Sequence, residues 1–132
     1  MASLLMAGMF GIFGRSQELQ QLDRAFRAAG LDPRGVSEAV KLTTLKQVKE
    51  ASPGRIPDLR AYAAAAELIT YCVLGREAFT QSNDADQTES VEARLVDTLE
   101  AGYGLEARLV LLTLHAGLIH SSVVERYKLT AE

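Results

Sequence analysis

Two histidines, one cysteine and a carboxylate set among apolar residues are the most chemically capable side chains of this sequence. His115 and His120 could ligate a metal or trade protons. Their spacing argues against a shared metal. They stand five apart with Gly117 between them, whereas two ligands on one helix face need a spacing of four. No carboxylate precedes either His by three positions, so the Glu-x-x-His pattern of di-iron bundles is absent. Arg108 lies two helical turns before His115 on the same side, and a structural, hydrogen-bonded His at that polar edge is the simpler expectation.

Glu67 sits inside the most apolar stretch of the chain, with Tyr71 one turn further on. Burial there would raise its pKa and make it a candidate acid or ligand anchor. The competing reading puts Glu67 on a narrow exposed strip with Arg60 and Ala78, and is preferred. Cys72 falls on the apolar side and reads as core filling. Glu67, Tyr71, Arg108 and His115 are the candidates for lining a ligand pocket.

Shorter signals carry less. Gly35–Ala39 (GVSEA) brushes against the G-x-S-x-G nucleophile elbow, but Asp32-Pro33 stands where the elbow needs a strand, so Ser37 reads as a helix cap. Counting a calcium loop from Asp84 puts Glu89 and Leu95 where Gly and Glu are required. Gly8, Gly11 and Gly14 have no following Lys-Ser/Thr and form no phosphate loop. Lys41, Lys46, Lys49 and Arg55 are too few for a nucleic-acid surface on a chain of net charge −3. A solvated helix face explains them as well. No catalytic set, metal site, cofactor motif or signature of a characterised family emerges.

The elements that must position these residues are helical. Ser16 caps a helix whose Leu19, Leu22, Ala25, Phe26 and Ala29 recur at helical spacing, and Gly30 stops it. A second helix runs from about Pro33 or Ser37 to Ala51. Ser52–Pro57, with two prolines and a glycine, breaks it. Asp58 caps the third and longest helix, to about Gln81, apolar on most sides and therefore central. Gln81–Ser90 is polar and acidic and predicts the longest internal loop, closing in a capping box of Asp86 and Glu89.

Glu-Ala-Arg-Leu-Val then occurs twice, at Glu92–Val96 and Glu106–Val110. Gly102-Tyr103-Gly104 separates the copies, so the pattern predicts two similar helices, about 87–101 and 105–116, packed as an αα-hairpin. Leu111, Leu112 and Leu114 predict that the second lies deeper. Ser122 and Glu125 predict a capping box for a short last helix.

The first fourteen residues are uncharged and mostly apolar, without the basic start of a secretory signal. Three readings stand: translation begins at Met6 or Met9, the arm folds back over an apolar groove, or Met9, Phe10, Ile12 and Phe13 meet another subunit, a partner or a membrane surface. Membrane contact ranks last, because only Arg15 is near to meet anionic lipid.

With 132 residues, 48% apolar and 23% charged, the chain can bury a core of its own, which excludes wholesale disorder. One cysteine excludes an internal disulfide, and a cytoplasmic address is the expectation. Met1–Pro57 carries eight Lys/Arg against five Asp/Glu, a balance of +3. Asp58–Gly102 carries three against nine, a balance of −6. Folding is expected to interleave these charges.

The expected fold is all-α: residues 15–132 form a compact bundle of five main helices plus a short C-terminal one, behind an apolar arm at 1–14. The structural alternative is a small α-solenoid-like array of three helix pairs. The expected function is a non-enzymatic interaction or regulatory protein that self-associates, with no cofactor, no nucleic acid and no transmembrane segment. The rivals are a helical pocket for a small molecule and an enzyme with an unfamiliar site.

Overall fold

The computed structural model describes residues 17–52 and 57–130, and among them every regular element is helical. The first helix, α1, covers 17–29. A 3-10 turn at Pro33–Gly35 leads into α2 (Glu38–Glu50), α3 (Leu59–Ser82), α4 (Ala85–Ala101), α5 (Leu105–His115) and the short α6 (Ser121–Tyr127). These are the five main helices and short final one that the pattern predicts. They form one compact bundle, with α2, α4, α5 and α6 all packed on α3, instead of a row of stacked pairs. Met9, Phe10, Ile12 and Phe13 lie outside the described residues, as does Arg55.

Local chemistry explains most boundaries. The Ser37 hydroxyl accepts Val40 N–H at 3.3 Å, and Asp58 Oδ1 accepts Ala61 N–H at 2.9 Å. Each satisfies a backbone donor that the first turn leaves unpaired, contributing about 1 kcal/mol. Gly30 ends α1 at φ +101°, and Leu31 N–H bonds back to Phe26 C=O at 2.9 Å, the closure expected of a left-handed cap.

Three boundaries differ from the sequence expectation. Gln81–Ser90 is not a long loop. Only Asn83 and Asp84 separate α3 from α4, and the polar residues Asp86 and Glu89 occupy the exposed side of α4. The capping box is Asp84 with Gln87, one Asp earlier than Asp86 with Glu89. Asn83 makes the tight corner possible: its side-chain amide donates to Ala29 C=O at 2.8 Å and Phe79 C=O at 3.0 Å, tying the ends of α1 and α3 together. Ser122 does not cap α6 either. His120 does, its Nδ1 accepting Ser122 N–H at 3.1 Å.

The second repeated helix lies deeper than the first, as expected: three of the eleven residues of α5 are exposed, against ten of the seventeen of α4. α4 buries Thr88, Val91, Glu92, Leu95 and Thr98. α5 buries Leu109, Val110 and Thr113, half-buries most of its other residues and leaves Leu111 46% exposed. Three leucines within four positions cannot all face one neighbour at 3.6 residues per turn.

α3 is broken within its length. Gly75 has φ +83° and ψ 171°, a region open almost exclusively to glycine. The break takes Arg76 out of register, and Cys72 C=O instead accepts His120 N–H at 2.7 Å. A Cβ on Gly75 would sit 2.9 Å from Ser122 Oγ and 3.2 Å from His120 Nδ1. Glycine therefore permits both the turn and the close approach of α6. Gly75→Ala is expected to lower stability by about 2 kcal/mol or more. Gly35→Ala, where a Cβ would meet nothing within 4 Å, is expected to be near neutral. Urea unfolding of the two variants, followed by far-UV circular dichroism, checks the contrast.

Candidate functional site

Positions 67, 71 and 75 of α3 are four apart and share one helix face. Glu67 and Tyr71 make polar contacts with α4, and Gly75 lies against the start of α6. Glu67 Oε1 accepts Arg94 Nη1 at 2.6 Å. The same guanidinium donates from Nε and Nη2 to Glu106 Oε1 at 3.2 and 3.1 Å, and from Nη2 to Ala64 C=O at 3.0 Å. One planar group with several fixed donors thus joins α3, α4 and α5, a task that a lysine could not perform. Arg94 belongs to the first copy of the repeated phrase and Glu106 to the second, so the copies are clasped to each other through non-equivalent residues.

One turn along, Tyr71 is fully buried, and its hydroxyl donates to Glu92 Oε2 at 2.6 Å. A carboxylate can only accept, so Tyr127, whose hydroxyl is 3.1 Å from that of Tyr71, is the donor to Tyr71. Burial, and then the hydrogen bond to Glu92, push the Tyr71 phenol far above its ordinary range. Its hydroxyl is held as a neutral hydrogen-bond donor to Glu92. Phe79 meets the Tyr71 ring edge-on at 5.6 Å.

Glu92 is the most buried carboxylate of the described residues, 8% exposed. Two further cations face it: Arg76 Nη1 lies 3.8 Å from Oε1, and Arg126 Nη1 lies 3.6 Å from Oε2. Further along the α3–α4 pair, the hydroxyls of Thr80 and Thr88 meet at 2.9 Å.

No known family, curated protein or solved structure matches the chain. The chemistry of the site therefore has to be read from its own geometry.

The four pocket candidates do not share a partner. Glu67 is tied to Arg94 and Tyr71 to Glu92. Arg108 reaches Glu50 of α2 at 3.5 Å. His115 is exposed in the last turn of α5, without a hydrogen bond among the described residues, so the expected structural bond at that edge is not formed. Glu67 is half-buried in an ion pair, not on an open strip. The basic face of α2 is likewise engaged: Lys41 pairs with Asp23 at 2.9 Å and Lys49 with Glu18 at 2.6 Å, both across to α1. Among the described residues no group of three or more His, Cys, Asp or Glu could hold a metal.

Sequence reasoning missed Glu92, Arg94, Arg76, Arg126 and Tyr127. A signal for the first two existed. Polar groups on a helix that is apolar on most sides need partners, and the repeated phrase supplies a Glu and an Arg two apart. Which copy faces α3 depends on packing.

Cys72 is buried, and burial pushes its thiol up to about 12, a hydrogen bond with Thr113 opposing the shift. The folded value lies above the unfolded one, so folding favours the neutral thiol. Its contribution to stability is complete below the ordinary thiol pKa near 9 and is lost as pH rises through about 12. The native thiol is expected to resist Ellman's reagent at pH 8 and to react at once in denaturant; fast native labelling would contradict its burial.

The hydroxyl relay predicts an order of effects. Tyr71→Phe strips a buried carboxylate of its hydrogen bond and is expected to cost about 1.5–3 kcal/mol. Tyr127→Phe removes a neutral bond and is expected to cost about 0.5–1.5 kcal/mol. Chemical denaturation measures both, and equal costs would refute the donor order derived above.

Proposed function

We propose that the chain is a non-enzymatic helical interaction protein that self-associates through the end of the bundle formed by the start of α3 and the α4–α5 turn. The observation that carries this reading is the exposure of two large apolar side chains there. Leu59 is 66% exposed and Tyr103 79%. The Arg94 bond to Ala64 C=O sets α3 and α4 side by side, and their antiparallel run brings residue 59 to the same end as the turn at 102–104. Large exposed apolar groups gathered at one place mark contact surfaces, and tyrosine is favoured in such contacts.

Two further points support it. The groups best suited to chemistry are occupied with one another: Glu67 with Arg94, Tyr71 with Glu92, and Cys72 within the core. Exposed Asp86, Glu89, Asp97 and Glu100 give α4 an acidic outer side, which would steer a basic partner by long-range attraction. No helix among the described residues is long and apolar enough to cross a membrane. With a single, buried, reduced cysteine, a cytoplasmic location fits this reading.

Native mass spectrometry and sedimentation velocity test it. The full chain is expected as a dimer or larger assembly, and Leu59→Ser with Tyr103→Ser is expected to return it to a monomer with unchanged helicity. A full chain that stays monomeric up to about 100 μM, or a double variant of unaltered size, would sink the proposal.

A further inference from the structure

A cleft of about 400 Å³ opens between the segment of α3 that follows Gly75 and the short α6, lined by Tyr71, Arg76, Ser122, Val123, Glu125 and Arg126. That volume lies within the range of small-molecule sites. Its electrostatics are unusual for a structural ion cluster. Arg76 and Arg126 both face Glu92, yet at 3.8 and 3.6 Å neither is within hydrogen-bonding distance. Neither guanidinium makes a hydrogen bond to a protein group among the described residues, and their side chains are 52% and 48% exposed. Compare Arg94, whose Nε and both terminal nitrogens are taken by Glu67, Glu106 and Ala64 and whose side chain is 25% exposed. Arg94 is a finished clasp, whereas Arg76 and Arg126 are two forks with most of their donors unused.

The geometry points to a binding site for a small carboxylic acid that also carries a hydroxyl or amino donor, its carboxylate held between Arg76 and Arg126. The acceptor side of that chemistry comes from Glu125. Glu92, 8% exposed and held by Tyr71, lies behind the two arginines and outside the lining. Glu125 is the carboxylate of the lining, forms no ion pair with either arginine, and can receive a donor from the ligand. The buried Glu92 behind the two guanidiniums and Glu125 on the lining together offset their charge. Recognition therefore rests on paired hydrogen bonds more than on attraction to bare charge. The supports are preorganised: Tyr71 fixes Glu92, the Tyr127 ring lies 5.7 Å from the Arg126 guanidinium, and the break at Gly75 takes Arg76 out of the regular helix.

The test is a titration of the full-length, ¹⁵N-labelled chain with malate, L-aspartate and succinate, read by amide shifts at constant ionic strength. Malate and aspartate are expected to give saturable shifts at Arg76 and in α6, with succinate, which lacks the donor, several-fold weaker. Arg126→Lys keeps the charge but removes the fork, and is expected to weaken binding about tenfold while leaving the spectrum of the remaining bundle in place. No saturable shift with any of the three at about 10 mM would overturn the site. So would equal binding of malate and succinate, or undiminished binding by Arg126→Lys. Should Arg126→Lys disturb the fold, Arg76→Lys, at the other wall of the cleft, answers the same question.

Discussion

A helix that buries side chains on nearly every side has to be enclosed, and the arrangement of this protein follows from enclosing α3. Leu68 through Cys72 are five consecutive fully buried residues, which at about 100° per residue cover the whole circumference. α2, α4, α5 and α6 surround it. Burying a large apolar side chain contributes about 1.5–3 kcal/mol. The enclosed set of Leu68, Ile69, Val91, Leu95 and Leu109 therefore supplies far more of the stability than any polar contact. Apolar contact is non-directional, however, and says little about which neighbour sits where.

Direction comes from the polar face of that helix. A half-exposed ion pair contributes about 1 kcal/mol or less, so the Arg94 clasp adds little net stability. Mispairing would be far more expensive, because it would bury Glu92 or Glu67 without a partner, at several kcal/mol. The contacts at positions 67, 71 and 75 thus set the register of α4 and α6 on α3. The same residues explain why the site at the α6 end differs from the clasp at the other end. Glu67 is answered by one arginine, which it shares with Glu106, whereas Glu92 is faced by a tyrosine and two arginines.

The repeated phrase illustrates how one string serves two environments. In the first copy Glu92 is buried, Arg94 is the clasp and Val96 is exposed; in the second Glu106 is half-buried, Arg108 is exposed and Val110 is buried. The two helices start alike and diverge in use because α4 lies against the polar face of α3, whereas α5 packs between α2, α3 and α4. Identical local propensity produced two helices, and their neighbours decided which residues each one turned inward.

Local chemistry in the sequence determined the helices themselves. Ser37, Asp58 and Gly30 act within a turn of their own position, and the stripe of Leu22, Phe26 and Ala29 needs only the helical period to be read. The Asp84–Gln87 box was also a local signal, obscured by a second Asp-x-x-Glu two residues later in the same polar stretch. Gly75 was harder to read, since a glycine inside an apolar helix has the same local preference whether or not it breaks. What decides is His120, forty-five positions away, donating its N–H to Cys72 C=O. The partners of Glu67 and Tyr71 were likewise matters of tertiary structure alone. A buried polar group announces that it needs a partner, but hydrogen bonds and ion pairs form between groups close in space, and only the packing of α4, α5 and α6 on α3 brought Arg94, Glu92 and Tyr127 within reach.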